Sequence, residues 1–218
     1  MIKSCSGTIV PNKVQNNLVF NLITKAGETP PATGGPLRIQ TITDGASTTA
    51  LLSEHLLANS DFLSPSSTRV TPGGTPGKRG LFQIAINVVL DQGSLSNAQA
   101  FVAACKAVPG TTQAAFDGSF GAQWLMSADF ATANNAYTHV MTPNGISCFG
   151  TPDPSTYISN STWGGIGAAI TATSNHPGGV NVAFGDGSVK FVKDSVDLQT
   201  WWALATRAGK EIIGADAY

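Results

Sequence analysis

The stretch that most constrains this 218-residue chain lies near its C-terminal end. Val180, Val182 and Phe184 alternate with Asn181, Ala183 and Gly185. Val189 and Phe191 alternate with Ser188 and Lys190, and Val192 follows. Between the two runs stands GDGS (185–188). Period-two runs on either side of a Gly-bearing turn predict a β-hairpin. Asp197 then stands where a helix N-cap belongs, ahead of residues 198–207, with Gly209 as the stop. Trp201, Leu204 and Ala205 form the apolar face of that helix and Trp202 its flank. A hairpin and a helix with one apolar face each bury those faces by layering, so an α+β domain is expected, with antiparallel sheet.

A second helix is expected near 96–107. Ala98, Phe101, Val102 and Cys105 fall at i, i+3, i+4 and i+7, Ser96 offers an N-cap, and Pro109-Gly110 ends the run. Cys105 then points inward from the last turn. Strands are read at 18–23, weakly at 37–42, at 48–56, at 120–126 and 137–141, and at the closing 211–218. Residues 81–89 read as a buried strand or the start of a helix. Residues 27–36, 58–80 and 111–165 are long irregular insertions, Gly- and Pro-punctuated or aromatic-rich. Asp44-Gly45, Asp117-Gly118 and Asp186-Gly187 read as three Asx-type turns rather than a repeat. One domain over 1–218 is expected.

Composition narrows the function classes. Only 11% of residues are charged and 42% are hydrophobic, which excludes disorder driven by charge. Twelve Lys+Arg stand against thirteen Asp+Glu, and the densest basic pair is Lys78-Arg79. That is too little for a nucleic-acid or anionic-membrane footprint. No apolar run approaches the roughly 18 residues of a membrane helix. The nearest, residues 81–90, contains Gln83 and Asn87. The start, MIKSCSGTIV, lacks the apolar stretch of a signal peptide. The chain is thus either cytosolic or part of a longer exported protein, and a surface poor in charge and rich in Ser, Thr, Asn and Gly favours the second.

The candidate chemistry is sparse. His55, His139 and His176 lie far apart, with no metal-protease or nucleophile-elbow motif around them. Cys5, Cys105 and Cys148 have no metal-knuckle or CxxC spacing; one disulfide with a spare thiol and three buried thiols both remain open. Asp186 reads as a structural turn residue, with a Ca²⁺ site as the alternative. His176 reads as a turn-pinning residue that bonds to a loop carbonyl and an amide.

Residues 174–218 closely resemble one family. His176, nine residues and Asp186-Gly187 resemble the H-X9-DG signature of the prepilin-type processing-associated domain, or DUF1559 family, of pseudopilin-like proteins abundant in planctomycetes and relatives. ITDGASTTALLSE (42–54), with Asp44 and Gly45, resembles the I-T-D-G-T-S-N-T block. HVMTPNGISC (139–148), with His139 and Asn144, resembles the H-x-x-x-P-N-x-x-x-C block. The resemblance implies a pilin-like globular head. It also implies a type II secretion-like or type IV pilin-like role, and a bacterial, extracytoplasmic place at the periplasm or cell surface. It implies partnership with other pseudopilin-like subunits or with itself, no catalysis and no cofactor. It gives structural roles to His176, Asp186, Gly187, Asp44, Gly45, His139 and Asn144. It further implies a Cys105–Cys148 disulfide in an oxidising exterior. Family members usually begin with a prepilin cleavage site and a hydrophobic helix, so a truncated form is expected here. Thr48 stands where the family usually has Asn, and Lys210 where a second Gly is common.

Two other functions stand beside the structural one. An extracellular glycan- or ligand-binding module would stack sugars on Trp124, Trp163, Trp201 or Trp202. An enzyme would need His139 to meet Asp129, or His176 to meet Asp186 across the hairpin.

Overall fold

The structure, a computed structural model, describes residues 39–57, 70–85, 95–115, 137–150, 168–206, 209–214 and 217–218. These form strands β1 (Ala50–Ser53), β2 (Leu81–Ile84), β3 (Ser147–Gly150), β4 (Ala168–Ala169), β5 (Gly179–Phe184) and β6 (Val189–Lys193). The helices are α1 (Gly74–Gly77, a single turn), α2 (Leu95–Lys106) and α3 (Leu198–Leu204). Strands expected at 18–23 and 120–126, Trp124, Trp163, Asp129 and Cys5 lie outside the described residues.

The alternation at 180–192 becomes the antiparallel β5–β6 hairpin, in register Val180↔Val192 through Ala183↔Val189. Val180, Val182, Phe184 and Val192 are buried. Gly187, at φ +85°, closes the turn in a conformation that favours glycine. At the other end a Cβ on Gly179 would collide with the Val192 carbonyl and the Phe191 ring. Lys190 shares the inward row, but its ammonium escapes to Ser47 O (3.0 Å) and Tyr218 Oη (2.8 Å), lying 4.8 Å from the Phe184 ring centroid. β1 joins the other side of β5, giving the order β1-β5-β6. The extended reading of 48–56 is met over Ala50–Ser53, with a register shift between Ala50 and Leu52, while Thr48 and Thr49 still belong to the turn before it.

A second sheet, β2-β3-β4, contains a parallel pair, β2 with β3, that the expected antiparallel sheet did not include. Parallel neighbours need a long crossover. Here α2 lies in that connection and packs on both strands. Ala98, Phe101, Val102 and Cys105 are buried, as their spacing predicts. A disulfide joins Cys105 to Cys148 of β3, with Cα atoms 5.9 Å apart. A single core of buried side chains draws on both sheets, α2 and α3, with Trp201, Phe82, Phe101 and Phe184 at its centre.

Four local expectations are corrected. Residues 39–41 form a 3-10 turn closed by Ile42 N–H to Ile39 O, and Ile39 is exposed, so no strand partner rewards the weak alternation. Residues 137–141 bend rather than extend, because Thr138 bonds Ile170 while His139 is held to α3. Residues 211–214 form no strand; Lys210, at φ 65°, turns the chain there. α2 already includes Ser96 as its second residue, and α3 stops at Leu204, because Thr206 is drawn to Asp44. The Asp197 cap forms as expected, accepting from the Gln199 and Thr200 amides.

The disulfide bridges 43 residues of sequence, so removing it frees the unfolded chain by roughly 3–4 kcal/mol in the loop-entropy account. The double variant Cys105→Ala, Cys148→Ala is expected to melt about 10 °C lower by calorimetry. Peptide mapping without reductant that finds Cys105 as a free thiol refutes the bridge.

Candidate functional site

The residues shared with the sequence blocks collect at three places. The first is the His176 end of the hairpin. β1 is too short to satisfy β5 along its length, and Glu54, the next residue, completes the ladder. Its backbone bonds Asn181 O (3.3 Å) and Thr173 N (3.1 Å). Its carboxylate accepts the Asn181 backbone N–H (2.9 Å), the Asn181 side-chain amide (3.0 Å) and His176 Nε2 (2.9 Å). Burial pushes the Glu54 carboxyl up, but the two Asn181 bonds and His176 outweigh it, and its pKa lies below the usual value. His176 therefore meets a carboxylate rather than the expected loop carbonyl, with its ring half exposed.

Asn144 braces the same end from a different segment. It sits at φ 59°, which asparagine tolerates better than most residues. Its side-chain oxygen accepts from Ser174 N–H (2.8 Å), and its amide donates to Gly179 O (3.1 Å) and Asp194 Oδ1 (2.7 Å). Ser174 Oγ donates to the same Gly179 carbonyl (2.6 Å) and accepts from the His176 N–H.

The second place is the hairpin tip. The exposed Asp186 carboxylate folds back onto the Ser188 amide (2.9 Å) and hydroxyl (2.6 Å), and these bonds lower its pKa. The amides of Gly185 and Asp186 bond Thr49 O and Ala46 O, so the two Asp-Gly blocks meet here. Gly45 O accepts from the Thr48 amide and the Thr49 hydroxyl. The Asp44 carboxylate accepts from Thr206 Oγ1 (3.0 Å) and from the amides of Gly209 (2.7 Å) and Lys210 (2.8 Å). One aspartate thus ties the first Asp-Gly turn to the segment after α3.

The third place is His139. Its ring stacks on buried Trp201 (centroids 3.9 Å apart). Nδ1 donates to Trp201 O (2.9 Å), since a carbonyl only accepts. Nε2 is then the acceptor for the Tyr137 hydroxyl (3.0 Å). Trp202 Nε1 returns a bond to Val140 O (3.0 Å). The residue as a whole keeps some exposure, but its ring is enclosed, and desolvation lowers its pKa to about 4 despite the carbonyl bond.

His176 and Asp186 stand at opposite ends of β5, a strand roughly 17 Å long at its usual rise. The dyad weighed from the sequence does not form. Trp201 and Trp202 are buried and offer no ring face for a sugar. Among the described residues no three His, Cys, Asp or Glu side chains gather in a metal-holding group, and no helix is long and apolar enough to cross a membrane. The sequence reading missed Glu54, Asn181, Ser174, Asp194 and Thr206. Their one signal was membership of the resembling stretches, Glu54 in 42–54 and the other four in 174–218.

A mixed α/β molecule whose shared polar residues close the ends of one hairpin has a match among families. The model described as "Protein of unknown function (DUF1559)" covers residues 6–199, and the chain belongs to this family. No curated protein and no solved structure matches it.

Protonating His139 in place is costly. Its depressed pKa means that the unfolded chain binds the extra proton first. Its contribution is full above pH 6.5 and is lost as pH falls towards 4, by at most about 3 kcal/mol. His139→Asn keeps a donor for Trp201 O but does not titrate. It is expected to be less stable at pH 7 yet flatter in thermal melts between pH 7 and 4; parallel curves refute this. At position 210 a left-handed Lys is strained, and Lys210→Gly is expected to gain on the order of 0.5 kcal/mol in urea unfolding.

Proposed function

We propose that this chain is a structural, non-catalytic subunit. It is the globular head of a pseudopilin-like protein that works outside the cytoplasm of a bacterium and assembles with other such subunits or with its own copies. One observation carries the reading: the residues of the shared blocks direct their polar atoms at one another and at the backbone of distant segments. Both nitrogens of His139 are engaged with the protein, and Asn144 is bonded through both amide atoms. Such residues hold a shape. The Cys105–Cys148 bridge supports an oxidising compartment, and a surface of low charge supports close packing of subunits.

Two measurements test this. Fractionation of the native cell with in-cell cross-linking is expected to find the chain outside the cytoplasm. The bridge is expected oxidised, with cross-links to itself or to other members of its family. A cytosolic chain with both thiols reduced overturns the reading. In urea unfolding Asn144→Ala is expected to cost roughly 2–4 kcal/mol, through lost hydrogen bonds and a strained backbone. His176→Ala, at an exposed pair, is expected to cost at most about 1 kcal/mol. Full stability in both variants contradicts the shape-holding role.

A further inference from the structure

Asn144-Gly145 is the one Asn-Gly step in the 218 residues. In an unfolded chain such a step is chemically weak. The Gly145 nitrogen, with no side chain to shield it, attacks the side-chain carbonyl carbon of Asn144. A C–N bond forms there, and the old side-chain nitrogen leaves as ammonia, carrying off the proton of the Gly145 nitrogen. The cyclic imide that results takes up one water. It opens to an aspartate, or to the isomer whose main chain runs through the side-chain carboxyl.

The fold blocks each part of this reaction. Asn144 Nδ2, the leaving nitrogen, is held by Gly179 O (3.1 Å) and Asp194 Oδ1 (2.7 Å). Oδ1 is held by the Ser174 amide (2.8 Å), so the side chain is kept from swinging back onto its own main chain. The attacking nitrogen is committed as well, its N–H bonded to Thr142 O (3.2 Å). Both members of the weak pair stand where the backbone asks for them. Asn144 sits at φ 59°, and a Cβ at position 145 would come within 3.2 Å of Thr142 O and crowd Met141.

We propose that Asn144-Gly145 is a conditional modification site. It is silent in the native chain and deamidates once the chain unfolds, and its product refolds to a less stable molecule. The new side chain is a carboxylate, which accepts but does not donate. It meets the Gly179 carbonyl and the Asp194 carboxylate, where Asn144 offered both a donor. The isomer lengthens the main chain by one methylene between the bonds of Asn144 N–H to Ala172 O and of Gly145 N–H to Thr142 O. The damage falls on the start of β5, at Gly179. A reversible opening thereby becomes a one-way step, at a rate set by the time spent open. The inference needs no partner and does not rest on the subunit reading.

The test uses the full chain with its disulfide intact. It is held at mildly alkaline pH in buffer and in guanidinium chloride, and peptides spanning 144–145 are followed by mass spectrometry. Asp-Gly steps isomerise without a change of mass, so the signal belongs to the asparagine. The native sample is expected to convert at least tenfold more slowly, because reaction waits on local opening. Equal rates overturn the protection. Gly145→Ala shields the attacking nitrogen and is expected to slow conversion in denaturant severalfold; an unchanged rate overturns the assigned attack. After the denaturant is removed, converted chains are expected to melt below unconverted ones, and identical melts overturn the trap. Asn144→Asp reproduces one product and is expected to melt lower too. Adding Asp194→Asn, which restores a donor opposite the new carboxylate, is expected to recover part of that loss; no recovery overturns the carboxylate clash as its cause. The rate comparison uses the unaltered chain, so it decides the matter even if Asn144→Asp fails to fold.

Discussion

A strand of four residues cannot satisfy the longer strand beside it, and the rest of this molecule is arranged around that shortfall. β5 runs for six residues between a four-residue neighbour and a five-residue one. A buried amide or carbonyl without a partner costs about 1–3 kcal/mol. Side chains therefore finish what the strands leave undone. Glu54 replaces the missing continuation of β1 with a carboxylate, and Asn144 caps the carbonyl of Gly179. Asp44 collects the amides that follow α3. The polar residues of the family-like blocks are polar because the backbone around them is.

The three places differ in chemistry. The two hairpin ends are partly wet, and the hydrogen bonds that Glu54 and Asp186 accept hold those two carboxylates ionised. The contact between His139 and Trp201 is enclosed, and the imidazole is held neutral there. Acid therefore attacks the molecule first at α3, where the ring stacks, and only at lower pH at Glu54, whose pKa lies below the usual carboxylate range. The disulfide does a separate job. It ties α2 to β3 beneath the parallel pair, across a crossover whose closure costs loop entropy.

Local chemistry was legible in the sequence, and long-range pairing was not. The hairpin, its Gly187 turn, the Asp197 cap and the buried face of α2 each follow from residues within a few positions of one another. The parallel β2–β3 pair does not, because 81–84 and 147–150 carry no mark of each other. The same holds for the partners of the motif residues. His176 advertised a turn, but its carboxylate partner lies 122 residues away. Residues 137–141 and 211–214 had strand-like composition, yet bonds to Ile170 and to α3 in one case and a left-handed Lys210 in the other decided their shape. The Cys105–Cys148 pairing was implied by the family resemblance rather than by spacing.

The reach of Asp44 sets the order in which the chain can acquire its shape. Its bond to Thr206 spans 162 positions, and the Glu54 bonds to Asn181 span 127. Contacts of such separation form slowly, because most of the chain must be ordered before they return any free energy. Among the described strands β1 pairs with β5 alone, so that pairing waits for residues 179–184. A chain of this kind settles its first strand only after residues near its end are in place.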